Sequence, residues 1–361
     1  MTVASLQDYS SLVREVEGEC AFVRMTGEFL VSGSRSGEVA CWEISNGTEM
    51  WRLSFEGPCS DADSNDGWLF FTESDRVHAI ELGSGKEAWS VELEGSSDLV
   101  AVSSDFIWVT SSVYNFEIQD YSEGAIWQID HSGEVRNRWD TVGRAWSLSD
   151  FQGRALMGLS RPKCGYAIAS EEGIEYLELE EKHPVTVGCK LVGGGVVLGH
   201  SNGSVTEINE GGFSTASFGN SAVCSIDCRS GWVVGLESGG VSTSDSFGSW
   251  SIDSFDSIDV VSFGPSLNEN AGVWYTSWNE GGAIFLVDSS IGSVQLEISH
   301  HSRIVTCFGT ENTICLGDDA GCIHVIEKDV VRRRFKRLPG RDPDSGRDSE
   351  MRKRIRALRG V

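Results

Sequence analysis

Residues Val77–Gly95 read VHAIELGSGKEAWSVELEG. Val77, Ala79 and Ile80 are apolar and Leu82 ends the run. Gly83-Ser84-Gly85 then form a turn, because glycine reaches positive φ without steric cost. Beyond it Trp89, Val91 and Leu93 alternate with Ser90 and Glu92, the period-2 pattern of a half-buried strand. The stretch is strand, tight turn, strand, and the rest of the chain echoes it. Aligned strand starts fall at Gly27, Gly67, Asp105, Gly153, Gly194, Gly231, Gly272 and Asn312, with spacings of 40, 38, 48, 41, 37, 41 and 40. Short strands repeating every ~40–50 residues are the mark of a β-propeller. The expected fold is therefore all-β, an eight-bladed propeller. Seven blades are the alternative, in which the divergent third or sixth copy is not a blade.

Each copy supplies up to four strands. In the first they are Cys20–Met25, Phe29–Ser32, Glu38–Ile44 and Met50–Phe55. One blade cannot bury both faces, so the ring must close. Ser10–Gly18 (SSLVREVEG) aligns with the outer strand Ala88–Gly95 and has no blade of its own. Residues 10–17 are expected to complete the last blade beside Arg303–Phe308, Thr313–Leu316 and Cys322–Glu327. The rival for that place is Val330–Leu338, whose RRRFKR run is a poor packing strand. The propeller is expected over residues 1–329.

Composition fits this fold. Of 361 residues 42 are Gly and only 6 are Pro, which suits turn-rich β-structure. The net charge of −25 is unevenly placed. Residues 330–361 hold 12 Lys and Arg against 4 acids, a charge of +8, which leaves −33 on the remainder. Such a body repels a nucleic-acid duplex, whereas the tail suits one. Only 7 of the 29 basic residues are Lys, a pattern resembling salt-adapted surfaces that also serves plain solubility. No run reaches the ~18 apolar residues of a membrane span. The start, MTVASLQDYSSLV, has neither the basic nor the apolar region of a secretory signal. The 10 Cys then read as reduced thiols in apolar strands, and the expected location is cytoplasmic.

Two segments leave the repeat. The third copy carries an insertion, Val113–Gly124 (VYNFEIQDYSEG), between its second and third strands, on the face that holds the connections between blades. It brings Tyr114, Phe116 and Tyr121 to a loop tip, either as a self-packed hairpin or as a partner-contact loop. The second segment is the basic tail, 330–361. A short amphipathic helix is expected near 349–360, with Met351, Ile355 and Leu358 on one face. Arg332, Arg333, Arg334, Lys336, Arg337, Arg352, Lys353, Arg354, Arg356 and Arg359 are candidate contacts for nucleic acid, an anionic surface or a partner protein. The tail could equally lie solvated, or neutralise the acidic body.

The block VHAIELGSGKEAW resembles the repeat of the pyrroloquinoline-quinone-type (quinoprotein-type) β-propellers, whose blades carry an Ala-x-Asp-x-x-x-Gly-Lys-x-x-Trp run. Gly85, Lys86 and Trp89 match, and Glu81 stands where Asp is usual. Ala40–Trp51 matches with Gly47 and Trp51, and Ile284–Leu296 keeps Asp288 and Gly292 but has Leu296 in the Trp place. More distantly, Ser32–Trp42 resembles a WD40 repeat with Ser36 in the Asp position. The resemblance implies that Trp51 and Trp89 dock between blades as packing residues, with Gly47 and Gly85 in the turns. It also raises a quinone-dependent dehydrogenase, an exported, calcium-binding enzyme that mostly uses adjacent cysteines. No two Cys are adjacent here, and cofactor-free relatives serve as scaffolds. No enzyme activity and no cofactor are expected.

Other chemistry is thin. DADSNDG (Asp61–Gly67) resembles a calcium loop through Asp61, Asp63 and Asn65, but its Gly is one place late and Thr72 stands twelfth. It is expected between blades. Cys224 and Cys228 lack zinc spacing and should share a core face. His300 and His301 are expected at the surface. The functional expectation is a scaffold that binds a protein partner on a propeller face. The alternative is a nucleic-acid-associated factor anchored by its tail.

Overall fold

The structure, a computed structural model, describes residues 4–336 apart from 66, 181 and 255. Alternating apolar residues pair into eight antiparallel sheets, each built mainly from four consecutive strands. Blade one runs from Cys20–Thr26 to Glu49–Ser54, blade two from Cys59–Asn65 to Glu87–Glu92, and blade three from Ser96–Val102 to Val135–Thr141. Blades four, five and six begin at Ala145–Phe151, Val185–Lys190 and Val223–Cys228. Blades seven and eight begin at Ile258–Gly264 and Ile304–Gly309. These eight first strands touch in sequence around a closed ring. The divergent third and sixth copies are both blades. The sixth has a short outer strand, Ser251–Asp253, after a 3₁₀ turn at Asp245–Phe247.

The core is distributed between blades. Phe22, Val31, Cys41 and Trp51 of blade one meet Ala62, Leu69, Phe71 and Ile80 of blade two, all buried. Trp51 is the recurring device. Its Nε1 donates to Leu82 O (2.6 Å) of the next blade, and its ring covers Gly85. A Cβ at Gly85 would lie 2.5 Å from that ring, and φ there is +70°, so both space and backbone demand glycine. Trp89 repeats the contact on His131 O (3.0 Å), and Trp250 on Ser289 O (2.6 Å).

Both termini hold the ring shut. Leu12–Glu15 pairs antiparallel with Cys322–Glu327 as the outer strand of blade eight. Where blades one, two and six send a Trp to their neighbour, this strand sends Leu12 and Arg14 to the Gly47 turn, with Arg14 Nε donating to Gly47 O (2.8 Å). Ahead of it, Ala4–Ser5 pairs parallel with Val294–His300 of blade seven. The short helix α1 (Leu6–Tyr9) bridges the two blades with Leu6 fully buried.

The chain after blade eight departs from the expected boundary at 329. Lys328–Phe335 forms a helix, α2, that packs on α1 and buries Val330 and Val331. Val330 and Val331 follow each other and then yield to charge, so a period-2 strand could not have buried both. The expected helix near 349–360 lies outside the described residues.

Candidate functional site

The insertion of blade three is a continuous extension of its central hairpin. Phe106–Asn115 and Asp120–Asp130 stay paired from Phe106 opposite Asp130 out to Asn115 opposite Asp120. Tyr114 packs edge-on against Phe116 and Tyr121, each ring centroid 5.2 Å away. The cluster is self-packed, yet Phe116 remains 85% exposed and Ile118 60%. That is a large apolar surface for a hairpin tip, where a solvated turn would carry polar residues.

Arg144, just before blade four, ties the hairpin down. Its guanidinium stacks on Tyr121 and Trp146, 4.9 Å from each ring centre, and Nη1 donates to Tyr121 Oη (2.9 Å). Nη2 pairs with Asp98 Oδ1 at 2.9 Å. Asp98 is buried, and burial pushes its carboxyl above the usual range while Arg144 pulls it back. Sequence reading missed both residues, because an Arg before one strand and an Asp inside another carry no local motif.

Beneath the hairpin lies a cleft of about 890 Å³ on the face of the blade connections. Phe55, Glu73, His78, Asp98, Tyr121 and Arg144 are among its walls. Phe55 and Phe71 hold the His78 ring at centroid distances of 4.7 and 4.9 Å. Glu73 accepts the Gly57 N–H through Oε1 (2.6 Å) and is buried.

The remaining candidates resolve into structure. Asp61 and Asp63 lie in the inner strand Cys59–Asn65, not in a connection, and are half-buried. Asp61 accepts from Val100 N (3.1 Å) and pairs with Arg24, while Asp63 accepts from Val102 N (2.8 Å). Asp227 does the same for Phe263 N (2.8 Å). These acids stitch the inner strands of blades two and six to those of blades three and seven, so the calcium-loop pattern is a ladder of blade contacts. That donor set does not suit a quinone with its calcium. The thiols do not suit one either: burial pushes Cys20, Cys41, Cys59 and Cys307 up to about 12.

Cys224 and Cys228 do not share a core face. An irregularity between Val223 and Ser225 breaks the alternation, leaving Cys228 buried and Cys224 exposed. His300 is buried rather than at the surface, because it ends a strand and its Nε2 donates to Asp318 Oδ2 (2.9 Å). His324 stands close by, and the ligand atoms of the three lie within 4.8 Å of one another. The His300 and His324 rings meet edge to face, 4.9 Å between centroids. Ser10 gives its hydroxyl proton to Leu6 O (2.9 Å), so His324 Nδ1 donates to Ser10 Oγ (3.0 Å).

Four of the basic candidates are described. Arg332 Nε donates to Ser266 O (3.0 Å) and the side chain reaches Asn268 O as well. Arg334 donates to Asp8 O and to Ser10 O (3.1 Å). These two lock α2 to the ring, while Arg333 and Lys336 face solvent. Arg337, Arg352, Lys353, Arg354, Arg356 and Arg359 lie outside the described residues. No helix among the described residues is long and apolar enough to cross a membrane.

The family model described as outer membrane protein assembly factor BamB matches residues 10–136, the N-terminal strand and nearly all of the first three blades. No curated protein matches the chain. Among solved structures, Saccharomyces cerevisiae Sqt1 superposes with a TM-score of 0.70 at 13% identity, covering 88% of this chain and 98% of that one. Chaetomium thermophilum Sqt1, solved bound to the N-terminus of the ribosomal protein L10, gives 0.69 at 11%, covering 88% and 99%. The computationally designed Ika8 protein gives 0.66 at 16%, covering 87% and 98%. At such identities the likeness is one of fold. The chain is an eight-bladed β-propeller that resembles the BamB family model over residues 10–136 and shares its overall fold with Sqt1 and Ika8.

Proposed function

We propose that this protein is a non-catalytic scaffold that holds a partner protein across the connection face of blades two to four, in the cytoplasm. The observation that carries this reading is the extended hairpin. It presents exposed Phe116 and Ile118 beside a cleft with polar walls, and apolar anchors next to a polar pocket are how protein interfaces concentrate affinity. Chaetomium thermophilum Sqt1, of similar fold, is itself solved with a terminal protein segment bound. Phe116→Ser should abolish recovery of partner proteins from lysate while leaving unfolding nearly unchanged, since the side chain is 85% exposed and its ring contact is with Tyr114 at the same hairpin tip. Unchanged recovery would sink the proposal.

A second reading keeps the tail as an anchor to polyanion, favoured by its charge of +8 against −33 on the rest. Its test is recovery with the chain ended after Lys336, with and without nuclease. Loss on both treatments supports nucleic-acid anchoring, and equal recovery excludes it.

A further inference from the structure

The seam between blades two and three is hollow where the seam before it is filled. Between blades one and two, Trp51 is buried, and Leu82, whose carbonyl receives its Nε1, is buried in the same apolar cluster. Trp89 makes the equivalent hydrogen bond to His131 O, yet Trp89 is only half-buried and His131 is exposed. The His131 ring reaches Ser104 O instead, with Nε2 at 3.1 Å. What remains is a hollow of about 250 Å³ walled by Asn65, Trp68, Phe70, Trp89, Ser104 and His131. Phe70 stands 5.8 Å from Trp89 with 39° between planes, and 6.1 Å from His131 with 67°, so these rings meet as angled walls rather than as a flat stack. Ser104 lies in the turn between the first two strands of blade three, and His131 in the turn between its last two. Both turns are at the end opposite the blade connections, so the hollow is independent of the scaffold face.

The walls narrow what fits. Their polar atoms already serve one another: Trp89 Nε1 donates to His131 O, His131 Nε2 to Ser104 O, and the Ser104 hydroxyl to Asp105 Oδ2 (3.1 Å). A ligand rich in N–H groups would give up its water and find few acceptors in exchange. No Lys, Arg, Asp or Glu stands in the walls, and the cation–ring contacts of the described residues fall on other rings. Aromatic faces attract a cation through their quadrupole, and the attraction grows as water is excluded. Asp105 beside the wall and the net charge of −25 pull in the same direction. The volume is below the ~300 Å³ at which sites for drug-sized ligands begin, so the occupant is a single group. We infer that the hollow binds a trimethylammonium group, a cation with no proton to donate, carried by a methylated lysine or by a choline-type molecule.

The test titrates the full chain by ligand-observed NMR with three probes. They are choline, its neutral analogue with a tert-butyl group in place of trimethylammonium, and an acetylated Gly-Ser peptide bearing one trimethyllysine. Choline should bind at least about fivefold more tightly than the neutral analogue, which has the same shape and no charge. His131→Leu copies the filled seam at Leu82 and should abolish choline binding without lowering the unfolding midpoint. Trp68→Leu keeps an apolar wall but removes a ring, and should weaken choline while leaving the neutral analogue as it was. Tighter binding of the peptide would assign the group to a protein side chain, and tighter binding of choline to a small molecule; either supports the inference. Equal affinity for choline and its neutral analogue would make the hollow merely apolar and overturn it. So would choline binding unaltered by His131→Leu, or no saturable binding of either cation. Partner recovery rests on Phe116 at the other face, so the two readings fail separately.

Discussion

Trp51 shows how one side chain organises two blades. It is buried, donates to Leu82 O and lies flat over Gly85 of the next sheet. Trp51→Ala removes a large ring from a packed seam and leaves Leu82 O with only the weak Cys41 thiol donor at 4.0 Å. The expected loss is about 3–5 kcal/mol by denaturant unfolding; a loss under about 0.5 kcal/mol would contradict the docking role. His324 gives a pH signature. Burial, and then His300, hold its imidazole down at about 4, against 6.5 when exposed. Asp318 opposes this, and His301 adds to it. A depressed folded pKa means that the unfolded chain binds the proton more readily. The stability from neutral His324 is therefore complete above pH ~6.5 and lost as pH falls towards 4. Wild type should lose its advantage over His324→Gln across that window. An advantage independent of pH would disprove the assignment.

At the scale of elements, the termini matter more than their length suggests. Ala4–Ser5, α1 and Leu12–Glu15 bind blades seven and eight from outside, and α2 clamps α1 through Arg334. Ending the chain after Lys336 should leave unfolding within about 0.5 kcal/mol of the full protein, because every described contact survives. Ending it after Glu327 strips α2 from the apolar side of α1 and should lower the midpoint clearly in the same assay. Equal stability of the two would make α2 an ornament. The blade-three hairpin is the opposite case: its tip adds exposed surface and little support, which marks it for contact rather than closure.

For the whole molecule, the period of about 40 residues, the glycine turns and the recurring Trp were enough to specify a propeller of eight copies, because each device acts within one repeat or on the next; that the divergent third and sixth copies are both blades came from the sheet pairing. The tryptophan seams of Trp51 and Trp89 were legible for the same reason. Asp61, Asp63 and Asp227 misled, since carboxylates in an inner strand read as loop until the neighbouring amides are seen to receive them. The cleft was not legible at all. Glu73 comes from blade two, Asp98 from blade three and Arg144 from the connection into blade four, and no local spacing records that a ring will bring them together. The sequence by itself determined the repeat, its eight copies and the aromatic insertion, all set by local period and turn chemistry. Only the tertiary structure decided which acids receive a neighbouring blade's amides and which line the cleft, because that depends on burial and on partners a blade away.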